Sequence, residues 1–299
     1  RPPVERHTRH WLVVAGAACM MAAGQFVFLS SSILNPPLAK SLGVGLSRVV
    51  VYNSLMAVSG VIAMSLLAPL AFRRLGLRAS VVAGGLWVAA TMGAVVLVTN
   101  VAALYVLGFA TGLTFGIATS MAASLLINTW FEQKRGTVMG AVFATSGLGG
   151  IGAGLVMPAL VGYGGWQFGF AVTAGVIVVL VVLPGVFLIR SKPSDVGLLS
   201  YGLRPEPVVP GADTDAVSGD LPGVPARIAF RTPQFAALAA ATVLIATVLA
   251  VQQHLAPLMV EHGVTLAVAG TLISLMALAT VFSNVLVGTL NDRRGSLAA

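Results

Sequence analysis

Apolar runs about as long as a bilayer is thick alternate with short polar turns along nearly the whole chain. Runs of this length predict membrane-crossing helices, because a helix needs about 20 apolar residues to span the hydrocarbon core. The pattern places eight spans, at roughly 11–36, 48–72, 79–99, 101–129, 137–161, 167–190, 233–260 and 265–290. Pro36-Pro37 and Gly43 mark the first turn, Asn100 alone parts spans three and four, and Gly162 to Gly165 part spans five and six. Residues 191–231 form the one long connection. They are rich in Pro and Gly, carry Asp213, Asp215 and Asp220, and predict a mostly disordered linker. The chain thus divides into 1–190, a six-helix bundle, the linker 191–231, and 232–299, a partial second bundle with spans seven and eight. A β-barrel would instead show alternating segments of about ten residues.

Composition agrees. Hydrophobic residues make up 57% of the 299 and charged residues 9%, with a mean hydropathy of +0.95. A soluble domain carries about 25% charged residues, so this is an all-α integral membrane protein. The net charge of +8 does not point to nucleic acid, because the cations sit in the short loops. Arg1, Arg6, Arg9, Arg73, Arg74, Arg78, Lys134, Arg135, Lys192, Arg293 and Arg294 fall on one side, and Lys40, Arg48 and Glu261 on the other. The positive-inside rule makes the first side cytoplasmic, N-terminus included. Trp11 to Ile33 is too long for a signal-peptide core and reads as the first span. High Ala, Gly and Val with short loops favours a multi-pass protein of a cell membrane, the bacterial inner membrane in particular. Cys19 is the single cysteine, so the chain has no internal disulfide or thiolate cluster. No metal or cofactor is expected, and no nucleotide-binding loop is present.

Two loops carry related motifs. After span eight the chain reads GTLNDRRGSL, and after span two PLAFRRLGLR. With six spans, a long linker and further spans, these loops resemble the major facilitator superfamily, whose signature loop is Gly-x-Leu-x-Asp-Arg-x-Gly-Arg-Arg. Gly288, Leu290, Asp292, Arg293 and Gly295 match in the later copy. The earlier copy keeps Arg74, Gly76 and Arg78, but has Pro69 for the Gly and Arg73 for the Asp. The resemblance implies six plus six spans, so the chain is expected to be a fragment with about four spans missing. The stretches NTWFEQKRGTVMG, GYGGWQFGFAV, RSKPSDVGL and VQQHLAPLMVEHGV resemble the monocarboxylate-porter and oxalate:formate-antiporter branch. That implies a secondary transporter, working as a monomer in the lipid bilayer by alternating access. Its cargo would be a small solute such as a mono- or dicarboxylate, coupled by symport or antiport to a proton or counter-ion.

No Lys, Arg, Asp or Glu lies deep in any span, although intramembrane charges usually mark substrate and proton paths. In the resembled branch an Arg four residues before the span-eight loop Gly often meets a substrate carboxylate. Here that position is Asn284, which supplies no charge. The remaining polar side chains include Gln25, Tyr52, Asn53, Asn128, Gln252, Gln253 and His254. Each either bonds a neighbouring helix or lines the pathway. His254, followed one turn later by Pro257, is the candidate proton carrier.

The resemblance also implies that the loop Asp and Arg pair with helix ends on the cytoplasmic side, here Asp292 and Arg293. Arg73 or Arg74 is expected to meet Glu132, beside Arg135, while Arg73, Arg78 and Arg294 serve equally well as inside anchors. Gly108, Gly112 and Gly116 in span four, and Ser146, Gly150 and Gly154 in span five, recur every fourth residue and predict close helix packing. Trp11, Trp130 and Trp166 sit at span ends, as an interfacial belt would. A membrane enzyme would need paired carboxylates or a Ser/His pair at membrane depth, which the spans lack. A sensor that kept the carrier fold and lost transport is the alternative function.

Overall fold

The apolar runs fold as helices passing back and forth between two ends. In this computed structural model, which describes residues 3–202, 228 and 231–294, the helices are α1 (Pro3–Leu42), α2 (Leu46–Arg74), α3 (Gly76–Val95) and α4 (Val101–Trp130). A 53-residue stretch, Arg135–Phe187, follows. It breaks at Gly165, whose φ of 73° and ψ of −175° are not helical. A positive φ of this kind is open to glycine at no steric cost. The break divides the stretch into α5 (135–164) and α6 (166–187), and both arms return to the same end. Arg135 Nε donates to the Phe131 carbonyl, while Trp130 Nε1 donates to that of Arg190. α7 (Pro233–Glu261) and α8 (Leu266–Arg294) complete the set. Counting Arg135–Phe187 as one and leaving α7 aside, six helices among the described residues are long and apolar enough to cross a membrane.

The Pro pair does not end α1. The helix runs through Pro36 and Pro37 to Leu42, and the turn falls at Gly43, at a φ of 65°. Proline's fixed φ suits a helix, and from Leu29 to Asn35 every side chain is buried. Leaving the helix there would strand more backbone groups in an apolar interior than the two prolines do.

α1 is the axis of the bundle. It packs on α2, α4, α5, α6 and α7, while α8 packs along the length of α5. The core lies where α1 meets its neighbours, with Met20, Leu29, Ile33, Leu34, Met92, Leu126 and Phe170 fully buried. Short π-helical turns interrupt α2 at Ala63–Leu67, α4 at Ile117–Met121 and α6 at Val178–Val182.

One sequence expectation is corrected here. Trp130 and Trp166 are buried and form no lipid-facing belt; of the three span-end tryptophans, Trp11 alone is exposed. The linker is ordered in its first part. After a 3-10 turn at Pro193–Val196, residues 198–202 run back beneath α4. The Tyr201 amide donates to the Trp130 carbonyl at 2.8 Å, and the Tyr201 carbonyl accepts from Glu132 at 3.0 Å. His10, at the start of α1, is enclosed edge-on by Trp130, Phe131 and Tyr201. Aromatic burial therefore holds this strap, which a Pro/Gly-rich composition conceals. Asp213, Asp215, Asp220 and Gly295 lie outside the described residues.

Candidate gating site at the basic end

The turns that carry most of the arginines lie together at one end of the bundle, where three helix termini are closed by side chains. A helix leaves its first N–H groups and last carbonyls unpaired, with partial charges that attract carboxylates to the N-terminus and cations to the C-terminus.

Asp292, in the last turn of α8, closes the N-terminus of α5. Its Oδ1 accepts from the Gly136 amide at 2.9 Å, and its Oδ2 from the Thr137 amide at 2.6 Å. Both carboxylate oxygens are used, so the contact holds orientation as well as charge. Gly136 makes the approach possible, since a Cβ there would strike the Asp292 carboxylate and the Asn291 amide.

The latch ends a seam of small residues along α5 and α8. A Cβ at Gly140 would meet the Asn284 carbonyl and Gly288, one at Gly147 would meet Ala277 and Val281, and one at Gly154 would meet Gly270 and Ser274. Gly150 sits against Ala277 and Leu29, with Gln25 alongside. Gly154 thus faces α8, and Gly150 faces both α8 and α1. A groove of about 250 Å³, lined in part by Met139, Phe143 and Asn284, runs beside the latch. Gly108, Gly112 and Gly116 pack on α2, at Tyr52, at Met56 and Ser59, and at Met64.

Arg135 bonds the Phe131 carbonyl at 2.9 Å and that of Asn128 at 3.3 Å, at the C-terminus of α4. Arg78 bonds the Gly185 and Val186 carbonyls at 3.3 and 2.6 Å, at the C-terminus of α6. Arg78 is thus a helix cap as well as a basic loop residue. Gly76, at a φ of 78°, gives the sharp turn between α2 and α3 that brings Arg78 there. The expected pairing of Glu132 with Arg73 or Arg74 does not form. Glu132 lies 3.7 Å from Arg135, three residues along its own turn, in the one ion pair among the described residues. Arg73 and Arg74 are exposed at the end of α2. Arg293 lies in the last turn of α8, and its side chain is outside the described residues.

The Major Facilitator Superfamily profile matches residues 14–299. The chain belongs to the major facilitator superfamily. No curated protein matches it. Members of this superfamily are secondary transporters rather than enzymes, and the chain is accordingly a multi-pass membrane protein of a transporter family. The superfamily fold pairs two six-helix halves about a midplane site. The Asp292 latch thus ties α8 to the start of α5.

The pathway candidates are scattered. The Asn284 amide donates to the Phe143 carbonyl of α5 at 3.2 Å, which makes it part of the seam. His254 is exposed and Gln252 half-buried on α7, and the Gln253 side chain is outside the described residues. Asn53 is buried on α2, with no partner for either amide atom. Sequence reasoning overlooked Asn35 on α1, which is fully buried and equally unpartnered. The signal was there in Ser30-Ser31-Ser32, one turn before an Asn-Pro-Pro.

Proposed function

We propose that the protein is a secondary carrier that moves a small organic solute by alternating access, and that the Asp292 latch holds it closed at the basic end. The single observation that supports this most is the two-oxygen contact of Asp292 with the α5 N-terminus, because a six-plus-six layout would put α5 and α8 in different halves. A pair of close, charge-assisted bonds can break as a unit, which suits a gate between two states. The basic end is read as cytoplasmic from the charge of its loops. A mono- or dicarboxylate is the substrate class that the likeness to the monocarboxylate and oxalate:formate branch favours, with a proton or counter-ion as the coupled species. The protein acts as a monomer in this reading, in a cell membrane of bacterial inner-membrane type. Gln25, Asn53, Gln252, Gln253, His254 and Asn284 are its pathway candidates, and Arg78 and Arg135 hold the helix ends against which the gate closes.

The test joins counterflow in proteoliposomes with labelling of a cysteine at position 139, in a Cys19→Ser background. In Asp292→Asn the carboxylate charge is lost and the latch weakens by about 1 kcal/mol. The expected results are faster labelling of position 139 by an impermeant maleimide and altered counterflow. Binding without counterflow in the unaltered protein, or an Asp292→Asn variant that labels and exchanges as before, would count against the reading.

A further inference from the structure

Two buried amides at the end away from most of the arginines have no partner within the protein. Asn35 is fully buried on α1 and Asn53 nearly so on α2, and neither the amide nitrogen nor the amide oxygen of either makes a hydrogen bond. The hydroxyl of Ser30, buried on α1, is also unpaired. Asn35 lies seven residues before Leu42, and Asn53 seven after Leu46, on either side of the turn that joins the helices. At 1.5 Å per residue both stand about 10 Å below that turn, at one level. Both face inward. Ser31, one turn before Asn35, lies beside the Tyr52 hydroxyl, and Asn53 shares the buried stripe of α2 with Val49, Tyr52 and Met56.

The backbone adds to this polarity. Pro37 carries no N–H, so it cannot donate to the Ile33 carbonyl one turn earlier. No residue within one helical turn of Asn35 or Asn53 along the chain is charged. α7 also packs on α1. Ala256 of α7 is fully buried and joins the same core cluster as Ile33, Leu34 and Leu38, five residues before α7 ends. Its neighbours His254 and Leu258 are exposed. A polar site that separation of α7 from α1 would uncover is placed to admit a solute.

We propose that Asn35 and Asn53 form a solute-binding site that takes an uncharged hydrogen-bonding group, a hydroxyl above all. An amide both donates and accepts, as a hydroxyl does. A carboxylate would call for a cation, and the nearest along these two helices, Lys40 and Arg48, are exposed beside the turn. This inference deepens the carrier reading and rests on it: the hydroxyl is the part of the solute that these residues recognise.

The experiment uses the full chain in detergent and compares probe pairs that differ by one hydroxyl: lactate with propionate, malate with succinate, and lactamide with propionamide. Thermal unfolding is followed against probe concentration, since a ligand that binds the folded protein raises Tm. In at least one pair the hydroxylated member is expected to raise Tm, with about ten- to a hundredfold more of its deoxy partner needed for the same shift. Asn35→Leu and Asn53→Leu should abolish that preference. If these fail to fold, Asn35→Ser and Asn53→Ser should reduce it. The absence of a preference in every pair would overturn the proposal. So would an intact preference in the Leu or Ser variants, which is the result if water alone occupies the site. Counterflow without a hydroxyl preference would remove this site and leave the carrier. An Asn-dependent preference without counterflow would keep the site and remove the carrier.

Discussion

Arg135 and Glu132 form an ion pair, yet they are unequal in what they hold. The pair itself is exposed and 3.7 Å apart, the kind of contact worth about 0–1 kcal/mol. Arg135 also satisfies two carbonyls at the end of α4. Glu132→Ala is therefore expected to leave Tm nearly unchanged, whereas Arg135→Ala should cost about 1 kcal/mol through the lost cap. Thermal unfolding of the two variants checks this, and equal losses would show that the ion pair, not the cap, is what matters. The sequence marked both residues through the loop motif. Their partners were hidden, because Glu132 reaches Arg135 within one turn before it can reach α2, and because the acceptors of Arg135 and Arg78 are main-chain carbonyls, which every residue has.

At the scale of helices, the glycines divide into those that carry a contact and those that do not. Gly147 lies against the Ala277 carbonyl and Val281, while a Cβ at Gly175 in α6 would meet nothing within 4 Å. Gly147→Ala is expected to push α5 from α8 and lower stability by about 1–3 kcal/mol, as overpacking does. Gly175→Ala should be neutral or stabilise by up to about 1 kcal/mol. Tm for the pair decides it, and similar values would mean that the α5–α8 seam is looser than its geometry. Span positions were legible because length and apolarity alone decide them. Helix ends were less so: Pro36-Pro37 reads as a turn but is carried within α1, and the strap at 198–202 depends on aromatic contacts from α1 and α4.

For the whole molecule, the asymmetry of charge sets the expected orientation. A cysteine replacing Lys40, near the α1–α2 turn, should react with an impermeant reagent in intact cells. One replacing Lys192, beside the strap, should react only after permeabilisation. The reverse result would invert the assignment and place the Asp292 latch on the outer side. Orientation belongs to this scale because it follows from the sum of many loop charges against the membrane, and from no single contact.

By itself the sequence determined the membrane class, the run of spans, the charge asymmetry and the loop motif. Each of these depends on residues near one another along the chain, or on composition summed over it. Only the tertiary structure decided that Asp292 meets α5, that the small residues of α5 face α8, that Asn284 bonds the Phe143 carbonyl, and that Asn35 and Asn53 are buried at one level. The physical reason is that these depend on which helix faces which. In an apolar chain nearly every helix face is greasy enough to pack or to meet lipid, so periodicity carries little information about neighbours. Close packing of glycines and the burial of a few polar groups choose the partner instead.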